Sequence, residues 1–331
     1  MHRPVATAGL VAFLVVDVAL VAMALRSGRD APATSQVAAS LTTLTTPTTL
    51  TTSPDTSAPS PSVTTSTATT TTPSSTAVVT QGGGTPGGVP VARLVSALDA
   101  STAWRASAGS CVAGGSRVEV TTDGGATWTR LPSPARAVAR VQLLSERGAF
   151  VIGAGAECEP RQYATRDAGQ SWQPPTPVSG GWARRLDEPT RVLSPKDPKA
   201  APCGTATVVD LSRTSATQAE ALCGGGSVVV TNDGGHTWTD AGSAPGAVAL
   251  GTRLVGGGTL GTYAVRVVAA CQGLQVARVT ADQGLDPVAC VGADAVAPGQ
   301  VGLSVTPTAA WIVAGEQTWV ASGDLTAWRL A

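Results

Sequence analysis

Thr121 to Trp128 read TTDGGATW, and the chain writes the same phrase twice more, as TRDAGQSW at 165–172 and TNDGGHTW at 231–238. Each copy fits S/T-x-D-x-G-x-S/T-W. A turn-like phrase returning at intervals of tens of residues is the mark of a repeat architecture. The flanks recur with it. Before the first copy stand LVSALDASTAW, a Gly-containing break and the alternating run Arg117-Val118-Glu119-Val120-Thr121; before the third stand AEALCGGGS and VVVTND. Alternation of this kind is a strand signal, and Asp-Gly-Gly between two such runs is a hairpin signal. No segment after residue 90 has helical periodicity.

Two weaker copies follow. Thr280-Ala281-Asp282-Gln283-Gly284 lacks the Trp, and Ser322 to Trp328 brings Asp324 and Trp328 one residue too close. The Asp positions 123, 167, 233, 282 and 324 are therefore 44, 66, 49 and 42 residues apart. One four-stranded unit of roughly 40 to 50 residues per phrase is the period of propeller blades. The expected fold class is all-β: a β-propeller of about five four-stranded blades, or six if the 66-residue gap hides one, over residues 91–331. Pro189 to Pro202 within that gap reads as a long loop, and Val89 to Val95 as an early strand available to complete the last blade.

On these residues the chain resembles the Asp-box (BNR) repeat family of sialidase-like propellers, sortilin-type receptors and propellers like the photosystem II assembly and stability factor. The resemblance covers about 240 residues, and implies that each phrase forms the turn between the third and fourth strands of a blade. The chemistry agrees. A short carboxylate at a turn accepts backbone N–H groups, and Gly at the fifth position permits positive φ. Asp123, Gly125, Trp128, Asp167, Gly169, Trp172, Asp233, Gly235 and Trp238 are thus expected to be structural, remote from the surface that binds a ligand. Calcium ligation is disfavoured, since each phrase offers one carboxylate and a calcium loop needs several oxygens.

Residues 1–30 read as a membrane anchor or signal. Val5 to Leu25 is apolar apart from Asp17 and is flanked by Arg3, Arg26 and Arg29; as a helix it spans a bilayer of about 30 Å, while Ala22-Met23-Ala24 and Ala31-Pro32-Ala33 offer cleavage sites. Residues 31–90 hold 20 Thr, 9 Ser and 8 Pro with Asp55 as the only charge, too little apolar surface to offset chain entropy, so a disordered stalk is expected. This organisation implies a single-pass membrane protein with its C-terminal domain outside the cytoplasm, or a secreted one after cleavage.

All six cysteines, Cys111, Cys158, Cys203, Cys223, Cys271 and Cys290, follow the stalk. An even count beyond an export signal fits disulfides in an oxidising compartment. Sequential order would join 111 to 158, 203 to 223 and 271 to 290. No CxxC pair or His cluster suggests a metal, and no cofactor is expected. The net charge of +0 gives no long-range attraction for nucleic acid. Arg outnumbers Lys 20 to 2, which with abundant Ala, Gly and Thr looks like codon bias of a GC-rich bacterium rather than an anion-binding signal.

Two functions compete. One is a non-enzymatic propeller that binds or scaffolds a protein or glycan of the cell envelope. The other is an exo-sialidase-like glycoside hydrolase, whose family pattern needs a Tyr nucleophile with a Glu, an Asp acid/base and three carboxylate-clamping Arg. The first blade has no Phe, and Arg93 is its only comparable arginine. Of the two tyrosines, Tyr163 enters a repeated turn and Tyr263 is the tolerable nucleophile, with Glu220 as partner. His236 reads as an exposed turn residue, Gly256-Gly257-Gly258 as a turn, and Trp182 with Arg184 and Arg185 either as a stacking and cationic patch or as a strand with Trp in the inter-blade core.

Overall fold

The computed structural model describes residues 88–256, 259–282 and 284–331. The expected anchor at 1–30 and almost all of the 31–90 stalk lie outside the described residues. Among the described residues no helix is long and apolar enough to cross a membrane.

Five four-stranded antiparallel sheets follow one another along the chain. The first comprises β1 (Arg93–Ala97), β2 (Ala103–Ser107), β3 (Arg117–Thr121) and β4 (Thr129–Leu131). The second comprises β5 (Ala137–Leu143), β6 (Ala149–Ala154), β7 (Pro160–Thr165) and β8 (Thr176–Pro177). A two-stranded sheet, β9 (Ala183–Arg184) with β10 (Val192–Leu193), occupies the long gap. The third full sheet is β11 (Val208–Arg213), β12 (Ala219–Cys223), β13 (Ser227–Thr231) and β14 (Thr239–Ser243). The fourth is β15 (Ala247–Leu254), β16 (Leu260–Val268), β17 (Gly273–Thr280) and β18 (Gly284–Gly292), and the fifth β19 (Val301–Val305), β20 (Ala309–Ala314), β21 (Gln317–Ser322) and β22 (Trp328–Leu330). Strands β1, β5, β9, β11, β15 and β19 touch in that order and β19 returns to β1, closing a ring. The fold is a β-propeller of five four-stranded blades with an incomplete sheet between the second and third.

Burial follows from stacking sheets face to face around that ring. Middle strands are covered on both faces and read as continuous apolar runs: β20, AAWIVA, and β12, AEALC, are buried at every position. Outer strands such as β14 are mostly exposed. Sulfur bridges join Cys111 to Cys158, Cys203 to Cys223 and Cys271 to Cys290, in sequential order.

The early strand does not complete the last blade. Arg93–Ala97 opens the first sheet by pairing with β2, and all four strands of the fifth sheet come from its own end of the chain. The segment before β1 crosses the ring instead: Val91 N donates to Val209 O (2.8 Å), while Ala92 N donates to Gly299 O (2.7 Å) beside β19. Val91 is packed with Val209, Leu222 and Leu303 in the largest apolar cluster.

Candidate functional site

The first strands surround a cavity of about 460 Å3 that is lined by residues of all six ring positions. Its wall is buried at the end where Val91, Arg184, Asp210 and Leu250 lie, and exposed at the other, at Leu254 and Pro307. The channel is a cup, crossed by the chain at one end and open at the other.

Hydroxyls lace the wall. Neighbouring first strands belong to different sheets and share no ladder, so their backbone N–H groups need other acceptors. Leu143 N donates to Ser96 Oγ (3.0 Å), Ala97 N to Ser304 Oγ (3.1 Å) and Thr252 N to Ser212 Oγ (2.9 Å). At the crossed end Asp210 does the same, accepting from Leu211 N (2.8 Å) and Leu250 N (2.9 Å). Burial pushes the Asp210 carboxyl up, opposed by the nearby Arg184 guanidinium and these N–H donors. Arg184, held down by its own burial, donates to Val91 O.

The lining includes five arginines and one acid. The Arg93 guanidinium leaves the channel: it meets Glu316 (3.3 Å) and Glu119 (3.9 Å) between the first and fifth sheets. Arg140 on β5 donates to Trp182 O (2.8 Å) and Gln142 Oε1 (2.6 Å) and lies over the Phe150 ring. Arg253 on β15 donates to Thr306 O (3.4 Å) and Gly323 O, with Tyr263 Oη 3.3 Å away. Arg213 at the end of β11 has no hydrogen-bonded or ionic partner among the described residues. Sequence reasoning passed over Arg140, Arg213, Arg253 and Asp210. The available signal was position, since each lies in the apolar run that opens a unit.

The incomplete sheet explains the shape of this wall. Trp182, just before β9, meets Trp238 edge-to-face (centroids 6.0 Å), as Trp104 meets Trp172 and Trp311 meets Trp128. Trp104 and Trp311 lie on second strands, β2 and β20, so β9 stands where a second strand would. It runs that way as well, from Trp182 Nε1 on Ser215 O (3.0 Å) at the open end to Arg184 at the crossed end. This ring position lacks a first strand, which leaves the wall between β5 and β11 notched.

The octapeptides form the connections β3–β4, β7–β8 and β13–β14. In the first, Thr121 Oγ1 donates to Asp123 Oδ1 (2.7 Å) and accepts from Gly125 N (3.0 Å), and Thr127 donates through N (3.0 Å) and Oγ1 (2.6 Å) to the same carboxylate. Asp167 and Asp233 repeat these bonds with Thr165 and Ser171, and with Thr231 and Thr237. The Thr127 hydroxyl and N–H hold Asp123 down at about 2, Ser171 holds Asp167 at about 2, and Thr237 holds Asp233 lower still. Gly125, Gly169 and Gly235 have φ of 91°, 83° and 90°. A Cβ at Gly169 would lie 2.8 Å from Trp104, so close approach to the preceding ring position requires glycine as strictly as φ does.

These turns are not remote from the channel. Gly124 N donates to Ser101 O, Ala168 N to Arg147 O and Gly234 N to Thr217 O, each in a loop between first and second strands. Such loops rim the open end, and the turns buttress them from outside.

The remaining candidates are dispersed. Thr262 Oγ1 donates to Glu220 (2.6 Å), while Tyr263, the next residue of β16, lies under Arg253 (5.5 Å). Successive strand residues face opposite ways, so β16 separates Glu220 from Tyr263, and neither lines the channel. Tyr163 lies within β7. His236 is exposed, its N–H on Asp233 (3.0 Å). Trp182 and Arg184 are buried and Arg185 pairs with Asp187, so the three make no surface patch. Gly256 is exposed; 257 and 258 lie outside the described residues.

No protein-family model matches the chain, and no curated protein matches it. Among solved structures it is similar to YCF48 bound to D1 peptide, with 18% identity over 74% of this chain and 70% of that one and a TM-score of 0.27. It is also similar to the GH74 enzyme of Niastella koreensis (13%, 72% and 38%, TM-score 0.27) and to Penicillium chrysogenum alpha-L-arabinanase complexed with arabinobiose (11%, 72% and 80%, TM-score 0.33). At these values the likeness carries no argument about activity.

Proposed function

We propose that this chain is a non-enzymatic binding propeller, held outside the cytoplasmic membrane by residues 1–30 and the Ser/Thr/Pro segment 31–90, that takes a protein or glycan ligand of the cell envelope at the open end of its channel. The observation that carries this reading is the contrast in use of polar groups. The repeated carboxylates are consumed by turn hydrogen bonds, whereas the non-repeated residues of the inner wall line a cup of about 460 Å3, a ligand-sized space open at one end. Tyr263 and Glu220, on opposite faces of β16, support binding over glycoside hydrolysis.

The test is crosslinking on intact cells with the full-length chain and with Leu254→Trp, which enlarges an exposed residue of the opening. A captured envelope component that is lost with Leu254→Trp is the expected outcome. Capture that ignores this change moves the site away from the channel, and sialoside hydrolysis lost on Tyr263→Phe replaces the reading with the enzymatic one.

A further inference from the structure

We infer that residues 77–81, Ala-Val-Val-Thr-Gln, supply the first strand that the incomplete sheet lacks, docking antiparallel to β9 in the notch between β5 and β11. The inference concerns how the tether joins the ring, and it stands whether or not the channel takes a ligand.

The other first strands show what the notch is missing. A hydroxyl of one ring position accepts a backbone N–H from the next: Ser304 from Ala97, Ser96 from Leu143 and Ser212 from Thr252. Each donor directly follows the acceptor position of its own strand, so the matching donor on β11 is Arg213 N, next to Ser212. Thr214 N turns to Gln218 O (3.2 Å), and alternation along an antiparallel strand sends Arg213 N the other way, toward the notch. There it has no partner among the described residues. The matching acceptor on β5 is Gln142, whose amide is turned to Arg140 and to Leu143 O. Between β15 and β19 the acceptor position is Gly251 and the strands close up instead, since a Cβ there would lie 2.8 Å from Val305.

The edge of the incomplete sheet is open in the same place. Arg185 N donates to Arg191 O (3.0 Å) and Ala183 faces Leu193, so β9 turns the backbone groups of Trp182 and Arg184 away from β10. Their equivalents on β2 are Trp104 and Ala106, which face Ser96 and Leu94 of the first strand β1. Such an edge takes an extended chain through main-chain hydrogen bonds.

The chain just before the described residues has the pattern required. β1 contains Leu94-Val95-Ser96-Ala97, and the segment contains Val78-Val79-Thr80-Gln81. With Thr80 opposite Trp182 and Val78 opposite Arg184, Thr80 Oγ1 meets Arg213 N and Gln81 N meets the Gln142 side chain, joining both loose ends. Trp182 O, held by Arg140 (2.8 Å), keeps a lone pair for Thr80 N. The reach is sufficient. Gly88 stands at the crossed end, where a Cβ on it would lie 3.0 Å from Gly224 Cα. A five-residue strand covers about 17 Å, and the seven steps from Gln81 to Gly88 span up to about 25 Å. The connecting residues 82–87, Gly-Gly-Gly-Thr-Pro-Gly, are small enough to return through the cup. Antiparallel docking brings Ala77 to the crossed end, so the preceding chain leaves there without threading the ring.

The experiment is hydrogen exchange of the purified full-length protein, read by mass spectrometry. Amides of 77–81 should exchange at least about 100-fold more slowly than those of 45–70. Thr80→Pro, which removes the N–H facing Trp182, should return 77–81 to the rate of 45–70 while β12 and β20 stay protected, and Thr65→Pro should change nothing. Thr80→Val keeps the shape and loses the hydroxyl, and should speed exchange of the Arg213 amide about fivefold. Exchange of 77–81 as fast as 45–70 in the unaltered protein overturns the inference. So does protection that survives Thr80→Pro, or an Arg213 amide indifferent to Thr80→Val.

Discussion

The rim turns and the inner wall belong to one ring, but they are built on opposite plans. At the rim the chain repeats itself, and three octapeptides place the same Asp, Thr/Ser and Gly in the same hydrogen bonds and the same Trp against the preceding ring position. In the wall no two strands carry the same side chains, and one position has no first strand at all. Repetition at the rim standardises how each sheet grips the one before it. That frees the wall to vary, because a hydroxyl or carboxylate at almost any register can lace neighbouring first strands.

The grip is carried by tryptophan pairs, and removing one should produce the largest effect. Trp311 is 0% exposed, sits edge-to-face on Trp128 (6.2 Å) and donates from Nε1 to Asp99 O (2.7 Å). Trp311→Ala should cost about 3–5 kcal/mol of unfolding free energy in urea denaturation. Trp128, half-buried between Trp311 and the Arg105 guanidinium (4.4 Å), should cost less when truncated, so the buried member of each pair dominates. A loss at Trp311 smaller than at Trp128 would break the idea that the repeated Trp covers and the non-repeated Trp anchors.

Next comes the incomplete sheet, which lacks two strands and carries a bridge from the loop after β10 to the end of β12, Cys203 to Cys223, spanning 20 residues. Replacing both cysteines by alanine should cost about 3 kcal/mol on a loop-entropy estimate. The thermal transition of the variant should be compared with that of the Cys271, Cys290 double variant, whose loop of 19 residues is nearly the same length but belongs to a complete sheet. Equal losses would mean that the notch needs no special staple.

The sequence shows the rim almost completely and the wall hardly at all. Asp-Gly-Gly and alternating residues are local signals, so TTDGGATW and RVEVT announce a hairpin without reference to the rest of the chain. The 66-residue spacing marks where the ring is irregular. What spacing cannot convey is that the gap holds second- and third-type strands only, since Trp182 earns that assignment through its contact with Trp238, 56 positions on. Val89 to Val95 reads as a strand, yet whether such a run is innermost or outermost depends on partners at Gly299 and Val209. Arginines in first strands fail for a related reason. Both faces of a blade pack against neighbours, so in-and-out alternation does not say which side chain reaches the channel: Arg93 turns to Glu316 between the first and fifth sheets, and Arg140 to Trp182 O and the Phe150 ring.

A third expectation uses pH. The Thr127 contacts hold Asp123 at about 2 in the fold against an ordinary value of 3.8. A lowered carboxyl contributes stability that is complete above its ordinary value and disappears as pH falls through the folded one. The thermal transition should therefore fall as pH drops between those two values, and Asp123→Asn should make that slope shallower. An unaltered acid slope would mean the turn carboxylate is equally well solvated in the unfolded chain.

The smallest effect tests how uniform the rim is. Its second turn departs from the others at one residue: Ala168 holds φ 58° where Gly124 and Gly234 hold 73° and 79°. A left-handed alanine is strained by about 1–2 kcal/mol, and glycine returns part of that through the greater freedom of the unfolded chain. Ala168→Gly should thus stabilise by about 0.5–1 kcal/mol, read as a higher urea midpoint with an unchanged m-value. The reverse change, Gly124→Ala, should destabilise, because its Cβ would also stand 2.7 Å from the Arg329 guanidinium and 3.2 Å from Ala100 O. If Ala168→Gly were destabilising instead, the alanine methyl would be contributing contacts to the second rim loop, and the three turns would be alike in hydrogen bonding but not in packing.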